Sequence, residues 1–372
     1  MAAFIRNPAL KILQIISGRG VNGALTYCKF FSEQLQKFGH EITVLGRPDS
    51  WLRSNLDPSI EFVVSDMARK PYELRRIAQQ VREGKFDVMH THMSRAHSFG
   101  VILRMMTGVP VVATAHAHSF QVHWRLNDFV IANSQATYDY QRRVNRIPSH
   151  KMEKVFCFTE LQRFQEVTPL NVTIVRGQMR LRGDEFLDGI VGDFALRKGH
   201  QYLFEALPKI VAEVPNFKLV TVGRFNRNEA LVKNLRALQL KHNLHRRVKW
   251  LGYRSNVEDY MAAFDVCVVP SVIEPLGLVA LEAMAAGTPV VAAKTGGLPE
   301  IVEHQHNGLL VESRNPEELA DAIIQMARSE SERRRMGENG RSMVSEKFNP
   351  IELSRQAEQI LQNVVSVRRA AA

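Results

Sequence analysis

DVCVVPSVIEPLGLVALEAMAAGTPVVAAKTGGLPEIVE, residues 265–303, is the stretch whose reading decides the fold. An apolar run ends at Pro270, a loop carries Glu274, and Gly277 opens an apolar helix that stops at Gly287. TPVVAA then supplies another short apolar run, followed by a Gly296-Gly297 loop and a helix with Pro299 at an early position, where its missing amide hydrogen costs nothing. Apolar strands without polar alternation, separated by helices, belong to a parallel sheet covered on both faces. Two glycine-bearing loops therefore converge on one edge of that sheet.

The same alternation extends outward in both directions. Upstream in the second half lie LDGIVGDF, FKLVTVG and VKWLG, with helices expected near 201–213 and 229–242. The first half repeats the logic with KILQIIS, EITVLG, FDVMHTH, VPVVATAH and DFVIANS, and with helices near 23–38 and 72–82. Two successive doubly wound units are the natural parse. Residues 160–186 lose clear period and collect polar residues, which places the boundary there. The expected organisation is an N-terminal domain over 1–165, a C-terminal domain over 186–345, and a last helix over 346–372 crossing back to the first domain.

A chain of 372 residues with 45% hydrophobic content can bury a large interior, so global disorder is excluded. Cys28, Cys157 and Cys267 are too few and too scattered for a disulfide framework, which fits a reducing cytoplasm. No segment approaches the ~20 apolar residues of a membrane-spanning helix, so any membrane contact is expected to be peripheral. Residues 1–165 hold 22 Lys/Arg against 13 Asp/Glu, giving +9 of the total +11. A basic face confined to one domain suits a phosphate-bearing partner or an acidic membrane surface, and the helix PYELRRIAQQV, joined by Arg69, Lys70 and Lys85, offers such a face.

At the decisive stretch, Gly277 has no Cβ, so a ligand can approach the backbone, and free amides at the helix start attract anionic oxygens. A diphosphate suits that place. Glu282 sits a little over two turns into the same helix, among Val279, Ala280, Leu281 and Met284, where an unpaired carboxylate is costly. Vicinal hydroxyls, as on a ribose, would pair it; so would a structural Arg or Lys.

EPLGLVALE, with AAGTPVVAAKTGGLPEIV and the downstream NGLLV, resembles the donor site of the family 4 retaining glycosyltransferases of GT-B fold, whose two Rossmann-like doubly wound domains face each other across a cleft. The resemblance implies that Glu274 contacts hydroxyls of the donor sugar, that the amides of Leu276, Gly277 and Leu278 hold the diphosphate and sugar, and that Glu282 binds the ribose. It further implies a nucleotide-sugar donor, UDP- or GDP-linked, as co-substrate, with no metal and no other cofactor.

In IVGDFALRKGHQYL a strand runs into a loop carrying Arg197 and Lys198, cations able to neutralise a leaving diphosphate. Lys198 matches the lysine of the family's motif, but Asp193 stands where the family has an arginine after the first glycine. Arg197 is then the expected second cation. VKWLGYR resembles the base-binding turn, with Gly252, Tyr253 and Arg254 flanking the base.

In the N-terminal half, ISGRGVNGALTYC gives a glycine-rich loop, and Asn22-Gly23 resembles the family's Gly-Gly loop beneath donor phosphates and acceptor. Gly18, Gly20 and Gly23 satisfy the dinucleotide spacing, yet EITVLGRP ends the second strand without an acid, which weakens a dehydrogenase reading. MHTHM and TAHAH place histidines at alternate positions near strand ends. His90, His92, His116 and His118 are thereby candidates for a metal site, whereas the resemblance implies that His116 touches the donor sugar, with His92 next in line on the acceptor side.

The expected activity is transfer of a sugar from nucleotide-sugar to a hydroxyl of a glycan or lipid-linked acceptor, in lipopolysaccharide, glycolipid or other cell-envelope synthesis, with no nucleic-acid partner. Closure of the cleft would align the two. The rival readings are a nucleotide-sugar epimerase of the same fold, and a basic membrane- or nucleic-acid-binding protein with a degenerate donor site.

Overall fold

The computed structural model describes residues 8–225 and 228–370. Chain contacts divide it at two points: one unit runs through Thr159 and resumes at Pro350, and the other is Glu160–Asn349.

In the first unit the elements are β1 (Lys11–Ile16), α1 (Gly23–Lys37), β2 (Glu41–Gly46), β3 (Glu61–Val64), α2 (Pro71–Glu83), β4 (Val88–His92), α3 (Ser94–Thr107), β5 (Val111–Ala115), β6 (Phe129–Ala132), α4 (Gln135–Arg143) and β7 (Met152–Lys154). The strands form one seven-stranded sheet in the order β3-β2-β1-β4-β5-β6-β7, parallel throughout. β4 and β5 are buried along their whole length, as a sheet covered on both faces requires. Local chemistry sets the helix limits. Asn22 caps α1 with its side-chain oxygen on the amides of Ala24 and Leu25, Pro71 opens α2, and Gly108, in the left-handed region, ends α3.

The second unit begins with α5 (Gln162–Gln165) and α6 (Pro169–Gln178) and continues through β8 (Phe186–Val191), α7 (His200–Glu213), β9 (Phe217–Val222), α8 (Glu229–Lys241), β10 (Val248–Gly252) and α9 (Val257–Ala263). Then come β11 (Val266–Val269), α10 (Leu278–Ala285), β12 (Val290–Ala293), α11 (Leu298–Ile301), β13 (Gly308–Val311), α12 (Pro316–Arg328) and α13 (Glu330–Lys347). Its six strands are ordered β10-β9-β8-β11-β12-β13, again all parallel. Phe204, Leu207, Ile210, Phe217, Leu219 and Ile323 form the centre of its core.

α14 (Pro350–Ala370) belongs to the first unit, against α1 and β4, with Leu353, Ala357, Ile360, Leu361 and Val365 buried. His40 at the start of β2 meets Glu358 of this helix at 2.8 Å, and Gln362 donates to the carbonyl of Pro8.

The architecture is two Rossmann-like α/β units, as the alternation predicts. Several elements escaped the sequence reading. The edge strands β3, β7 and β13 are only three or four residues long, too short to show a period. Residues 160–186 read as linker but hold α5 and α6. In α6 the run Val172-Thr173-Ile174-Val175 is β-branched and poorly helical by propensity, and a reciprocal Thr168–Asn171 capping box fixes the helix instead.

Candidate active site

Strand order locates the crevice. In the second sheet the chain winds outward from β8 through β9 to β10, and from β11 through β12 to β13, so the winding reverses between the neighbours β8 and β11. Ligands of open parallel sheets sit outside the carboxyl ends of the strands at such a reversal, where the two loops part. Lys198 follows β8 and Glu274 follows β11. Lys198 Nζ donates to Glu274 Oε2 at 2.7 Å, and Ser271 Oγ donates to the same oxygen at 3.1 Å.

Backbone contacts fasten this loop pair. The amides of Val272 and Ile273 donate to the carbonyl of Arg197, at 2.8 and 3.3 Å. Gly199 has φ +70°, and a Cβ there would lie 1.8 Å from the carbonyl oxygen of Pro270. The Gly296-Gly297 loop closes on the other side: the Gly297 amide donates to the Glu274 carbonyl at 3.0 Å, and a Cβ on Gly296 would lie 1.9 Å from that oxygen. Glycine is required at both positions because backbone meets backbone.

Gly277, at φ +110°, precedes α10 and supplies no side-chain cap, so the first amides of that helix are left to a ligand or to water. Leu276 is buried and Leu278 half-buried beside it. Burial alone would raise the Glu274 carboxyl, but the charge and hydrogen bond of Lys198, then the charge of Arg197 and the Ser271 hydroxyl, outweigh it and hold the group below the usual carboxylate range. Glu274 is therefore an anion at neutral pH. Glu282 is half-buried in α10, and its charge is felt by the buried thiol of Cys267 in β11.

Arg197 was the expected second cation. Its side chain is exposed and its carbonyl is spent on loop closure. A different arginine stands at the strand ends. Arg224, two residues past β9, holds Asp193, two residues past β8, by paired hydrogen bonds at 2.9 and 2.8 Å. Gly223, at φ +156°, lets the two loops touch, since a Cβ there would lie 1.9 Å from the Gly192 carbonyl oxygen. VGRF repeats the order strand, glycine, charged residue seen in VGDF one strand earlier, a pattern that marks both positions without showing that they pair. Arg254 bonds the Tyr260 hydroxyl of α9 at 3.3 Å and the carbonyl of its neighbour Tyr253 at 3.0 Å.

In the first unit Asn22 is committed to capping, and Gly23 is the first residue of α1. The histidines are linked in a line. His92 Nε2 lies 2.9 Å from Gln14 Oε1, His92 Nδ1 lies 3.0 Å from His116 Nε2, and His116 Nδ1 lies 3.7 Å from Cys157 Sγ. Burial pushes His116 down to about 3 and His92 well below its ordinary value, so both are neutral. With Gln14 Oε1 accepting from His92, one direction follows: His116 donates through Nε2 to His92, and the Cys157 thiol donates to His116 Nδ1. His90 lies 2.7 Å from the Thr114 hydroxyl and its ring packs 4.3 Å from that of His92, while His118 stacks on Tyr140 and meets the Thr137 hydroxyl, so three of the four histidines cluster and His118 pairs elsewhere. Among the described residues no group of three or more His, Cys, Asp or Glu could hold a metal ion. No described helix is long and apolar enough to cross a membrane.

Comparisons with known proteins agree with this fold. Residues 173–343 match the family described as Glycosyl transferases group 1, and residues 21–163 match the one described as Glycosyltransferase Family 4. An uncharacterised glycosyltransferase of Methanocaldococcus jannaschii is 28% identical, over 89% of this chain and 92% of its own. The N-acetyl-alpha-D-glucosaminyl L-malate synthase of Bacillus anthracis is 27% identical, over 94% and 95%. Among solved structures, Anabaena HepE in complex with UDP-glucose superposes with a TM-score of 0.86 over 95% of this chain and 100% of that one, at 24% identity. Between them the two family matches take in the whole second sheet and every strand of the first but β1, and the chain belongs to the family 4 type of glycosyltransferase, with the GT-B fold.

Proposed function

We propose that this glycosyltransferase moves a sugar, with retention of anomeric configuration, from a UDP- or GDP-linked donor to a hydroxyl of a glycan or lipid-linked acceptor. The observation that carries it is the Lys198–Glu274 contact at 2.7 Å, set at the reversal point beside the uncapped start of α10. The donor diphosphate lies on the amides of Leu276, Gly277 and Leu278, and Glu282 takes the ribose hydroxyls. Lys198 turns from Glu274 to the phosphate as charge grows there. Glu274, relieved of its cation, accepts hydrogen bonds from hydroxyls of the sugar. HepE's complex with UDP-glucose supports a UDP-linked sugar.

The bond from the anomeric carbon to the phosphate oxygen breaks and that to the acceptor oxygen forms on the same face. The proton of the acceptor hydroxyl goes to the departing phosphate, so the protein need supply no base. Lys198 and the helix amides stabilise the leaving charge, a contribution of the kind worth about 100-fold or more in rate for a single well-aimed donor. The reading asks for no metal. The acceptor lies on the N-terminal unit, with His116 and His92 at its strand ends, and the basic balance there supports work on cell-envelope glycans at the inner face of a membrane.

Lys198→Ala and Glu274→Ala are the test. Each should lower transfer about 100-fold or more per molecule of protein still folded at the assay temperature, with a lower melting temperature expected from parting a buried ion pair. Full activity in both would refute the assignment.

A further inference from the structure

We propose that a cavity within the N-terminal unit, walled by Arg69, Arg95 and His123, binds an anionic group, a phosphate or a carboxylate, carried by the acceptor. This rests on the glycosyltransferase reading for the word acceptor, and on the cavity itself for the anion.

The cavity has a volume of about 620 Å³, and Ser94, Gln121, Met67 and Ala68 complete its wall. It lies at the carboxyl edge of the first sheet. Met67 to Arg69 follow β3, Ser94 and Arg95 follow β4, and Gln121 and His123 follow β5. The loops after β4 and β5 are the ones that leave His92 and His116, so the cavity adjoins the histidine line already described.

Its lining holds two guanidinium groups and no carboxylate. Asp66, the nearest acid along the chain, turns its carboxylate to the Ala68 amide at 2.7 Å. The arginines are also braced. Arg69 donates to the Ser98 hydroxyl at 2.7 Å, and that hydroxyl donates to the Arg95 carbonyl at 3.0 Å, tying the β3 loop to α3. α3 is a 14-residue helix whose N-cap, Met93, offers no side-chain bond, so its positive end adds to the field. The half-buried His123 ring contributes to the wall, while its Nε2 is turned away from the opening and sealed from solvent. Burial, then the charge of Arg69, holds His123 below its ordinary value. Two guanidinium groups around an opening whose lining holds no counter-charge match a compact anion that accepts several hydrogen bonds at once.

The full-length protein is titrated with inorganic phosphate and, separately, with succinate, at constant ionic strength. Binding is followed on the imidazole resonances of His123, assigned with His123→Asn, and calorimetry with UDP is run alongside. The expected result is a saturable His123 shift in at least one arm, with His123 gaining a proton as the anion binds. In Arg69→Gln/Arg95→Gln the affinity should fall about tenfold or more, since both charged donors to the anion are lost. UDP affinity should be unchanged there. Saturation with phosphate alone assigns a phosphate-bearing acceptor, and saturation with succinate alone assigns a carboxylate. No saturable shift in either arm, or equal affinity in the double variant, overturns the proposal. Failure of UDP to bind the parent protein would instead overturn the donor reading and leave the anion result standing.

Discussion

Arg224 grips Asp193 through two nearly parallel hydrogen bonds, Nε to Oδ1 at 2.9 Å and a terminal nitrogen to Oδ2 at 2.8 Å, and its own amide reaches Oδ1 at 3.3 Å. The two residues cap adjacent strands at the edge where the donor is expected, and each side chain keeps about a quarter of its surface exposed. The acid after Gly192 thus serves as a holder for a cation from the next strand. If Arg224 faces the donor phosphates, Arg224→Ala should weaken UDP binding about tenfold by calorimetry, because it removes a cation and leaves an anion in place. Asp193→Asn keeps the cation and should cost less. The opposite ranking would sink the idea that Asp193 merely positions Arg224.

What the sequence showed of this site follows from how each residue is held. Glu274, Gly277 and Lys198 were legible because backbone demands repeat along the chain: apolar strand, glycine, helix start. The partnership of Asp193 with Arg224 was not, because it joins residues 31 positions apart through strand pairing, and only register brings them together. The histidines were legible as alternate positions on strands. Their order as a line running from Gln14 to Cys157 depends on β1, β4 and β5 lying side by side, which no local pattern announces.

Gly199→Ala isolates the fit between the two central loops. Its Cβ would enter the carbonyl of Pro270 from a left-handed backbone position, so either the β8 or the β11 loop must retreat. Stability should fall by about 1–3 kcal/mol, seen as a lower urea midpoint. Transfer should fall further than that loss explains, since the retreat parts Lys198 from Glu274. Gly183→Ala, with nothing within 4 Å of the new methyl and no positive φ, is the control and should leave both quantities unchanged.

Buried neutral histidines make the fold acid-sensitive in a defined window. Burial pushes His90 and His200 down from 6.5 to about 3, His200 with added repulsion from Lys198. In the unfolded chain both titrate near the ordinary value, so between about 6.5 and 3 the unfolded state holds more protons and stability falls as pH is lowered. Above that window they contribute no pH dependence. Each adds a slope of at most about 1.4 kcal/mol per pH unit. Urea midpoints at pH 7.5, 6.5 and 5.5 should decline over the lower step, before most carboxylates titrate, and His90→Gln should flatten the decline. A midpoint that does not move between pH 6.5 and 5.5 would falsify this.

The last prediction concerns the return of α14 to the first unit. The Leu10 amide donates to His40 Nδ1 at 3.0 Å, so that nitrogen carries no proton, and Nε2 must be the one that donates to Glu358 Oε1 at 2.8 Å. The contact is a buried hydrogen bond to a carboxylate, with Arg355 balancing the acid at 2.8 Å from its other oxygen. A glutamine at 358 can still accept from His40 through its amide oxygen, whereas an alanine leaves the buried imidazole donor and the Arg355 cation without an acceptor. Glu358→Gln should therefore lower stability only slightly, and Glu358→Ala by about 1–3 kcal/mol, read from urea unfolding at neutral pH. Because α14 covers α1 and β4, hydrogen exchange in those two elements should rise in the alanine variant and stay unchanged in the glutamine one. Equal losses in both variants would mean that the negative charge at 358, rather than the acceptor for His40, holds the helix in place.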